Sequence, residues 1–264
     1  MDVRLLFTHA DDLKLELWTT TNFLSKASEY YKALFASGGA ETILRRRSQR
    51  AQDPSAVSEQ TCSPRAPDPE PKFDWEDSDD ETDAFLVERD WMSCTTTKQD
   101  TADFDYRQIE VRETAYSTMC AVLLYLQIGR IDFAPLRSSE DELVTKRKAS
   151  LATSLGEHPT LPPPVSPKSV YRFAHLLERE ELQRMALDSL YSSLTISGAA
   201  RELFSPVSVA YNMVRQVVLG FVVDSWKEVK ATEGWQAVRA EIASGQLEGG
   251  AQILLDLFAA IDKT

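Results

Sequence analysis

Two patterns of apolar positions fill the first 37 residues, one with the period of a strand and one with that of a helix. Apolar residues dominate 3–7, and segment 13–17 alternates leucine with charged side chains, as a half-buried strand does. The polar residues between the two segments predict a hairpin. From Asn22 the apolar spacing becomes that of one helical face, and Gly38 with Gly39 ends it. The apolar positions of this predicted helix are Leu24, Ala27, Tyr31, Leu34 and Phe35.

Residues 40–103 lose this periodicity. A basic cluster lies near the start of the segment, and an acidic run occupies 74–81. Disorder is predicted over about 40–103, because so little apolar surface cannot offset the entropy of ordering the chain. A few large apolar residues within the segment leave a second interpretation open, docking on the folded part of the chain or on a partner. They are Phe73, Trp75, Phe85, Leu86, Val87 and Trp91.

Order is predicted to return at Tyr106, where apolar and polar residues alternate up to Val111 as in a short strand. Thr114 has the side chain of a helix N-cap, and the helix that follows is predicted to end at Gly129. Residues 130–133 predict a final short strand. The buried stripe expected on the helix consists of Met119, Val122, Leu123 and Leu126.

A second segment of loop composition, about 135–164, is also predicted to be disordered. Ser166 followed by Pro167 is a signal for a helix start. Two amphipathic patterns on either side of 178–181 then predict a helical hairpin. Beyond residue 198 the sequence predicts helices throughout, at 199–204, 207–226, 235–242 and 253–261.

The charge of the chain is concentrated in one segment. The 264 residues carry a formal net charge of −12, and residues 66–105 account for −11 of it, with fourteen acidic and three basic side chains. The remainder is almost neutral, as the mixed surface of a folded domain is. A nucleic acid is therefore not expected as a direct partner, because a phosphate backbone requires a basic face.

Cysteine usage and hydropathy predict a protein of a reducing compartment. Three cysteines at wide spacing fit neither a disulfide framework nor a zinc site. The longest apolar stretch, 217–223, is far shorter than the ~20 residues of a membrane span, and the first residues lack the pattern of a signal peptide. We expect no membrane partner and a location in the cytoplasm, the nucleus or both.

Enzyme chemistry is not predicted. The three histidines, His9, His158 and His175, have no metal-ligand spacing, and Cys120 lies in a buried-helix pattern where a small core residue is expected. Neither nucleophile-elbow nor phosphate-binding motifs occur. We therefore expect no catalytic residues, no cofactor and no metal.

Three blocks of the sequence resemble a BTB/POZ domain. Asp2–Phe7 looks like the opening strand of that family, and Ala121–Ile131 looks like its most specific signature, an aromatic helix ended by glycine. The helices over 167–194 fall where the family has its closing helical hairpin. The insertion is longer than the family's usual connection, and Thr19-Thr20 replaces a common Ala-His pair. The first-helix matches are Leu24, Ser28, Tyr31, Leu34 and Phe35.

The resemblance implies an α+β fold with a BTB/POZ-like arrangement, in which a small β-sheet packs with helical hairpins, followed by an all-helical extension. It predicts a BTB/POZ-like domain over 1–197, interrupted by the two disordered segments. Residues 198–264 are similar to the helical extension that follows BTB domains in adaptors of cullin-type ubiquitin ligases.

The function that this resemblance implies is non-catalytic protein–protein interaction. The leading hypothesis is a BTB adaptor that recruits client proteins to a cullin scaffold. The alternative is a nuclear BTB scaffold or transcriptional regulator that acts through homo- or heterodimerisation and its acidic insertion. The partner-binding surface is expected to include Tyr30, Tyr31, Leu34, Tyr106 and Tyr125.

The charged segments also carry candidate regulatory sites. Arg45, Arg46, Arg47 and Arg50 form a candidate nuclear-import cluster. Three serines have the flanking charges that kinases recognise, acidic in one case and basic in two, and phosphorylation of each would change the local charge. They are Ser78, Ser48 and Ser150.

Overall fold

A four-stranded sheet forms the β part of the protein, which is α+β. Its strands are β1 (Asp2–Thr8), β2 (Lys14–Thr20), β3 (Thr42–Arg47) and β4 (Phe104–Val111), in the order β2-β1-β4-β3. β1 pairs antiparallel with β2 and parallel with β4, and β3 pairs antiparallel with β4. The predicted hairpin and the predicted strand near residue 106 are both confirmed.

This computed structural model describes residues 1–8, 14–37, 42–47, 78–88, 104–111, 114–136, 149, 151–153, 155–158, 160–247 and 249–262.

The chain divides into two compact units. The first, the sheet unit, comprises Met1–Asp74 and Ala84–Glu113, and the second, the helical unit, comprises Trp75–Asp83 and Thr114–Thr264. The predicted division at 197/198 falls inside the helical unit.

Two short helices follow β2 in the sheet unit, where the sequence predicts one. Helix α1 (Thr21–Ala27) and helix α2 (Glu29–Ser37) are separated by Ser28, which has extended backbone angles. The Ser28 Oγ accepts a hydrogen bond from the N–H of Tyr30 at 3.1 Å, so it begins the second helix as it ends the first. Apolar periodicity did not reveal this break because the buried face continues across it.

Helix α3 (Ser78–Glu88) lies inside the segment predicted to be disordered. Four of its side chains are buried at the spacing of one helical face, Asp79, Thr82, Asp83 and Leu86. The prediction of disorder is therefore wrong for this helix, and also for β3. A prediction from composition treats every carboxylate as solvated, whereas the carboxylates of Asp79 and Asp83 are buried. Leu86 docks within the chain, while Phe73, Trp75 and Trp91 lie outside the described residues.

The helical unit continues with α4 (Tyr116–Ile128), which ends at Gly129 with a left-handed φ of 73°, as the sequence predicts. Residues 130–133 form no strand, and Phe133 makes a single parallel bridge to Val165. The predicted hairpin is confirmed as α5 (Pro167–Leu176) and α6 (Glu180–Ser193). Helical residues also occur at 149, 151–153 and 155–157, within the second segment of predicted disorder.

Six further helices complete the described part of the helical unit. The single helix predicted at 207–226 is divided at Tyr211, which has extended backbone angles, and at Ser225. The Tyr211 ring packs edge-on against Tyr171 and His175, with centroid distances of 5.6 and 5.4 Å. No helix in the described residues has the length and apolar character needed to cross a bilayer. The six are α7 (Ala199–Leu203), α8 (Pro206–Ala210), α9 (Asn212–Asp224), α10 (Trp226–Val229), α11 (Glu233–Ala243) and α12 (Gly250–Ile261).

Candidate protein-interaction site

Four of the five predicted partner-binding residues lie in the sheet unit, and two of those four are buried. Tyr31 is 4% exposed and stacks on Phe35, and Tyr106 is 8% exposed and packs edge-on against Trp18. These two tyrosines belong to the core, so their assignment to a binding surface is wrong. Tyr30 and Leu34 are half-buried and keep part of their side chains accessible.

Tyr125, the fifth predicted residue, lies in the helical unit on the last turns of α4. The first half of α4 is buried, but its last turns emerge, and Ile128 is 64% exposed. Leu124, Tyr125 and Ile128 are spaced so that they lie on one side of the helix. This side is apolar and incompletely covered in the described part of the unit.

The Tyr125 hydroxyl hydrogen-bonds to the Glu181 carboxylate at the start of α6. Burial raises the pKa of Tyr125, and the negative charge of Glu181 raises it further, while Arg179 and Arg184 act in the opposite direction. The phenol is therefore a neutral donor at physiological pH. Its bond to Glu181 links the last turns of α4 to the start of α6.

A shallow depression lies beside this side of α4. Arg130 at its edge forms an ion pair with Asp132 at 3.1 Å, and both side chains are half-exposed. The depression therefore combines apolar side chains with a charged pair at its edge. Its lining consists of Ala121, Leu124, Arg130, Ile131, Asp132, Leu161, Pro162 and Pro163.

We call Leu124, Tyr125, Ile128 and Arg130 the α4 face. An apolar centre with tyrosine and arginine at its margin is the composition that concentrates binding energy in protein–protein interfaces. The geometry offers a partner one protruding aliphatic side chain, one oriented ring and one cation. These groups support binding.

The N-terminal ends of α4 and α5 are held by two buried carboxylates that the sequence did not reveal as partners of these helices. The N–H groups of Tyr116 and Ser117 donate to Asp83 at 2.6 and 2.9 Å. Thr114, the predicted N-cap, lies outside the helix, and Ala115 occupies the cap position without a side-chain bond. Asp83 lies 33 residues before Tyr116, beyond the range of any local capping motif.

Cys120, one turn after Tyr116, is expected to react slowly with iodoacetamide. Burial raises the pKa of its thiol to about 12, against an ordinary value of 9.0, with a smaller opposing effect from the Tyr116 hydroxyl. At pH 8 the thiolate fraction is thus on the order of 1,000-fold lower than in an exposed cysteine. Only the thiolate reacts, so the alkylation rate should be lower by the same factor. The alkylation rate of a Cys62→Ser/Cys94→Ser variant should rise about tenfold per pH unit between pH 8 and 10.

The same variant in denaturant is the control, since its thiol should then titrate near the ordinary value. A native alkylation rate that equals the denatured rate at pH 8 would show that the thiol is exposed and would contradict the structural assignment.

Four of the seven candidate regulatory residues have a described position, in β3 and α3. Ser48, Ser150 and Arg50 lie outside the described residues. Arg45–Arg47 occupy the last three positions of β3, and Ser78 is the first residue of α3, directly before the buried Asp79.

Sequence reasoning missed Leu124, Ile128 and Arg130 of the α4 face, and also Glu181, to which Tyr125 hydrogen-bonds. An isoleucine in the last turn before Gly129 was a usable signal, but the bond from Tyr125 to Glu181 spans too much sequence to be inferred.

Within the described residues, no group of three or more His, Cys, Asp or Glu side chains is arranged to hold a metal ion. No model of a known protein family matches the sequence, and no curated protein is significantly similar to it.

Proposed function

We propose that this protein is a non-catalytic interaction module with a BTB/POZ-like fold, and that it acts as an adaptor that recruits clients to a cullin-type ubiquitin ligase. The cytoplasm or the nucleus is the compartment in which it would act. The α4 face is the contact surface for the scaffold.

Support for the BTB/POZ-like fold comes from the order of elements. Strand, strand, helix, strand, long helix and helical hairpin occur in this order along the chain, with β3 and α3 between the first helices and β4. The signature block at 121–131 covers the second half of α4, whose last turn is exposed, and its glycine stop. Four features depart from the expected order: the break at Ser28, the additional strand β3, the additional helix α3, and the single bridge in place of a strand at 130–133.

The observation that carries the proposed function is the 64% exposure of Ile128 beside Tyr125 and the neighbouring depression. A large aliphatic side chain that protrudes at the end of a helix has no role in the core of the described unit. A hydrophobic anchor next to an oriented tyrosine is the arrangement found at interface hot spots.

Replacing Ile128 with glutamate is expected to weaken binding to a cullin N-terminal domain at least tenfold. Such a substitution places a charge in the centre of the contact and removes an anchor, and hot-spot losses are roughly 2 kcal/mol or more. Biolayer interferometry on the purified full chain measures the effect. The matched control is Gln127→Glu, which makes a similar change in charge at the exposed neighbouring position on another side of α4.

Equal affinities of the two variants would contradict the assignment of the α4 face. If the unmodified chain fails to bind any cullin N-terminal domain while a known BTB adaptor binds in the same assay, the adaptor function is wrong.

A further inference from the structure

Helix α12 is apolar on almost every side. Gln252 and Asp256 are the only polar side chains between its first and last residues. Ile253 and Leu257 are buried, with 1% and 0% of their surfaces exposed, and hold the helix against the rest of the helical unit. A helix that is hydrophobic all round is normally buried all round, so an exposed side on such a helix indicates a surface that a partner covers.

The exposed side of α12 has the spacing of a coiled-coil seam. Leu255 is 63% exposed and Phe258 is 49% exposed. Ala251 precedes Leu255 by four residues and Asp262 follows Phe258 by four, and both are exposed. Steps of four, three and four residues keep one side of a helix facing a second helix. We call Ala251, Leu255, Phe258 and Asp262 the α12 face.

The middle of the α12 face is electrically neutral. The one charged side chain within α12, Asp256, is neutralised inside the helical unit, where its Oδ2 lies 3.5 Å from Arg215 Nε on α9. A charged group of a partner placed on Leu255 or Phe258 would lose its hydration without gaining a counter-charge. Helices that lie on a membrane surface carry lysine or arginine on their polar side, and α12 contains neither. The properties of this face therefore favour another apolar helix as its occupant.

A second copy of α12 meets this requirement in the antiparallel orientation. A two-fold axis that passes midway between Leu255 and Phe258 places Leu255 of each copy at the level of Phe258 of the other. The aliphatic side chain then packs beside the ring, and the axis repeats the contact. Ala251 of each copy lies at the level of Asp262 of the other, so the small residue leaves room for the carboxylate.

The ends of α12 are also complementary in this orientation. Asp262 follows the last turn, where the negative end of the helix dipole disfavours a carboxylate. The first turn has no acidic residue, and its N-cap Gly249 has no side chain to accept a hydrogen bond. An antiparallel copy brings Asp262 to this positive end, whereas a parallel copy would place the two Asp262 carboxylates together.

We propose that the α12 face is the contact surface of a homodimer, in which two α12 helices pack antiparallel with Leu255 of each against Phe258 of the other. One short helix on each side covers less than the roughly 1,600 Å² of a standard interface, so the dissociation constant should be roughly 10–100 µM. The proposal concerns residues other than the α4 face and does not depend on the adaptor function.

Sedimentation equilibrium of the full chain between about 5 and 500 µM tests the dimer. Leu255→Glu should weaken association at least tenfold, because a charge enters the centre of the contact twice. The matched control is Gln216→Glu, which makes the same change in charge at an exposed position of α9 and should associate like the unmodified chain. Both positions are exposed, so the circular dichroism of both variants should match that of the unmodified chain.

Mixtures of charge variants test the antiparallel orientation. Leu255→Glu and Phe258→Lys should each associate poorly alone. Mixed together they should recover association, because the new carboxylate of one chain meets the new ammonium group of the other while the second Leu255–Phe258 contact is intact. Leu255→Glu mixed with Leu255→Lys should not recover, since these two positions meet only in a parallel pair.

A chain that stays monomeric up to about 500 µM would overturn the proposal, as would a dimer that Leu255→Glu leaves intact. Recovery in the second mixture but not in the first would show that the helices pair in parallel and would contradict the assigned contact. A monomeric chain that binds phosphatidylcholine vesicles, and loses this binding in Leu255→Glu, would show that the α12 face meets lipid and not a second copy.

Discussion

Replacing Lys168 with methionine is expected to lower the free energy of unfolding by about 3 kcal/mol at neutral pH. Lys168 Nζ lies 3.1 Å from Glu202 Oε2, and the two side chains are only 14% and 3% exposed. That carboxylate oxygen has no hydrogen bond among the described residues. The cost of burying its negative charge is therefore offset by the positive charge of Lys168. Without the lysine, a buried carboxylate is left unpaired, which costs more than the pair itself contributes.

A rescue variant separates these two effects. Lys168→Met/Glu202→Gln should recover most of the loss, because it removes the buried charge along with its partner. The control is Arg201→Met, which removes an exposed cation next to Glu202 and should change the stability by less than about 0.5 kcal/mol. Urea denaturation followed by circular dichroism at 222 nm gives all four values. A double variant no more stable than Lys168→Met would show that the pair is not the cause.

The position of this ion pair also bears on domain organisation. Lys168 lies on α5 and Glu202 on α7, on opposite sides of the boundary predicted at residue 197. Breaking the pair should therefore destabilise the helical unit as a whole rather than release a separate extension.

Replacing Asp79 with alanine is expected to lower the free energy of unfolding by about 2–3 kcal/mol, since a buried charged acceptor of helix-end N–H groups is lost. The Ser166 N–H and the Thr118 hydroxyl would lose their acceptor. Asp83→Ala should have a similar effect through Tyr116 and Ser117. The same urea experiment measures both, with the exposed Asp80→Ala as the control.

The two losses are not expected to add. The two aspartates lie one turn apart on α3, so loss of the first weakens the contacts of the second, and the combined loss should be smaller than the sum of the single losses. Fully additive losses would show that α3 stays in place when one aspartate is missing. A loss below about 0.5 kcal/mol for both single variants would show that the carboxylates do not cap α4 and α5.

The candidate site was predictable where its signal is local. Tyr125 was expected at a partner surface because block 121–131 resembles the BTB/POZ signature, and the structure leaves it half-buried near the end of that helix. Tyr31 and Tyr106 were selected by the same type of reasoning but are core residues. A tyrosine has an apolar body and a polar tip, so its residue type does not distinguish a core position from a binding position.

The sequence by itself determined the elements whose causes lie within a few residues. The pairing of β1 with β2, the end of α4 at Gly129 and the start of α5 at Pro167 follow from alternation, a left-handed stop and a proline at the first helical position. These features arise from backbone sterics and hydrogen bonds over one or two turns, which a single sequence displays directly.

Only the tertiary structure decided which charges are buried and which apolar side chains are exposed. Asp79 is buried because Ser166, 87 residues away, provides an N–H at the start of another helix. Glu202 is buried because folding brings Lys168 to it, and Ile128 is exposed although its helix is mostly apolar. The stability of a buried charge depends on the donors that surround it, and those donors are assembled by the fold rather than by neighbouring residues in the chain.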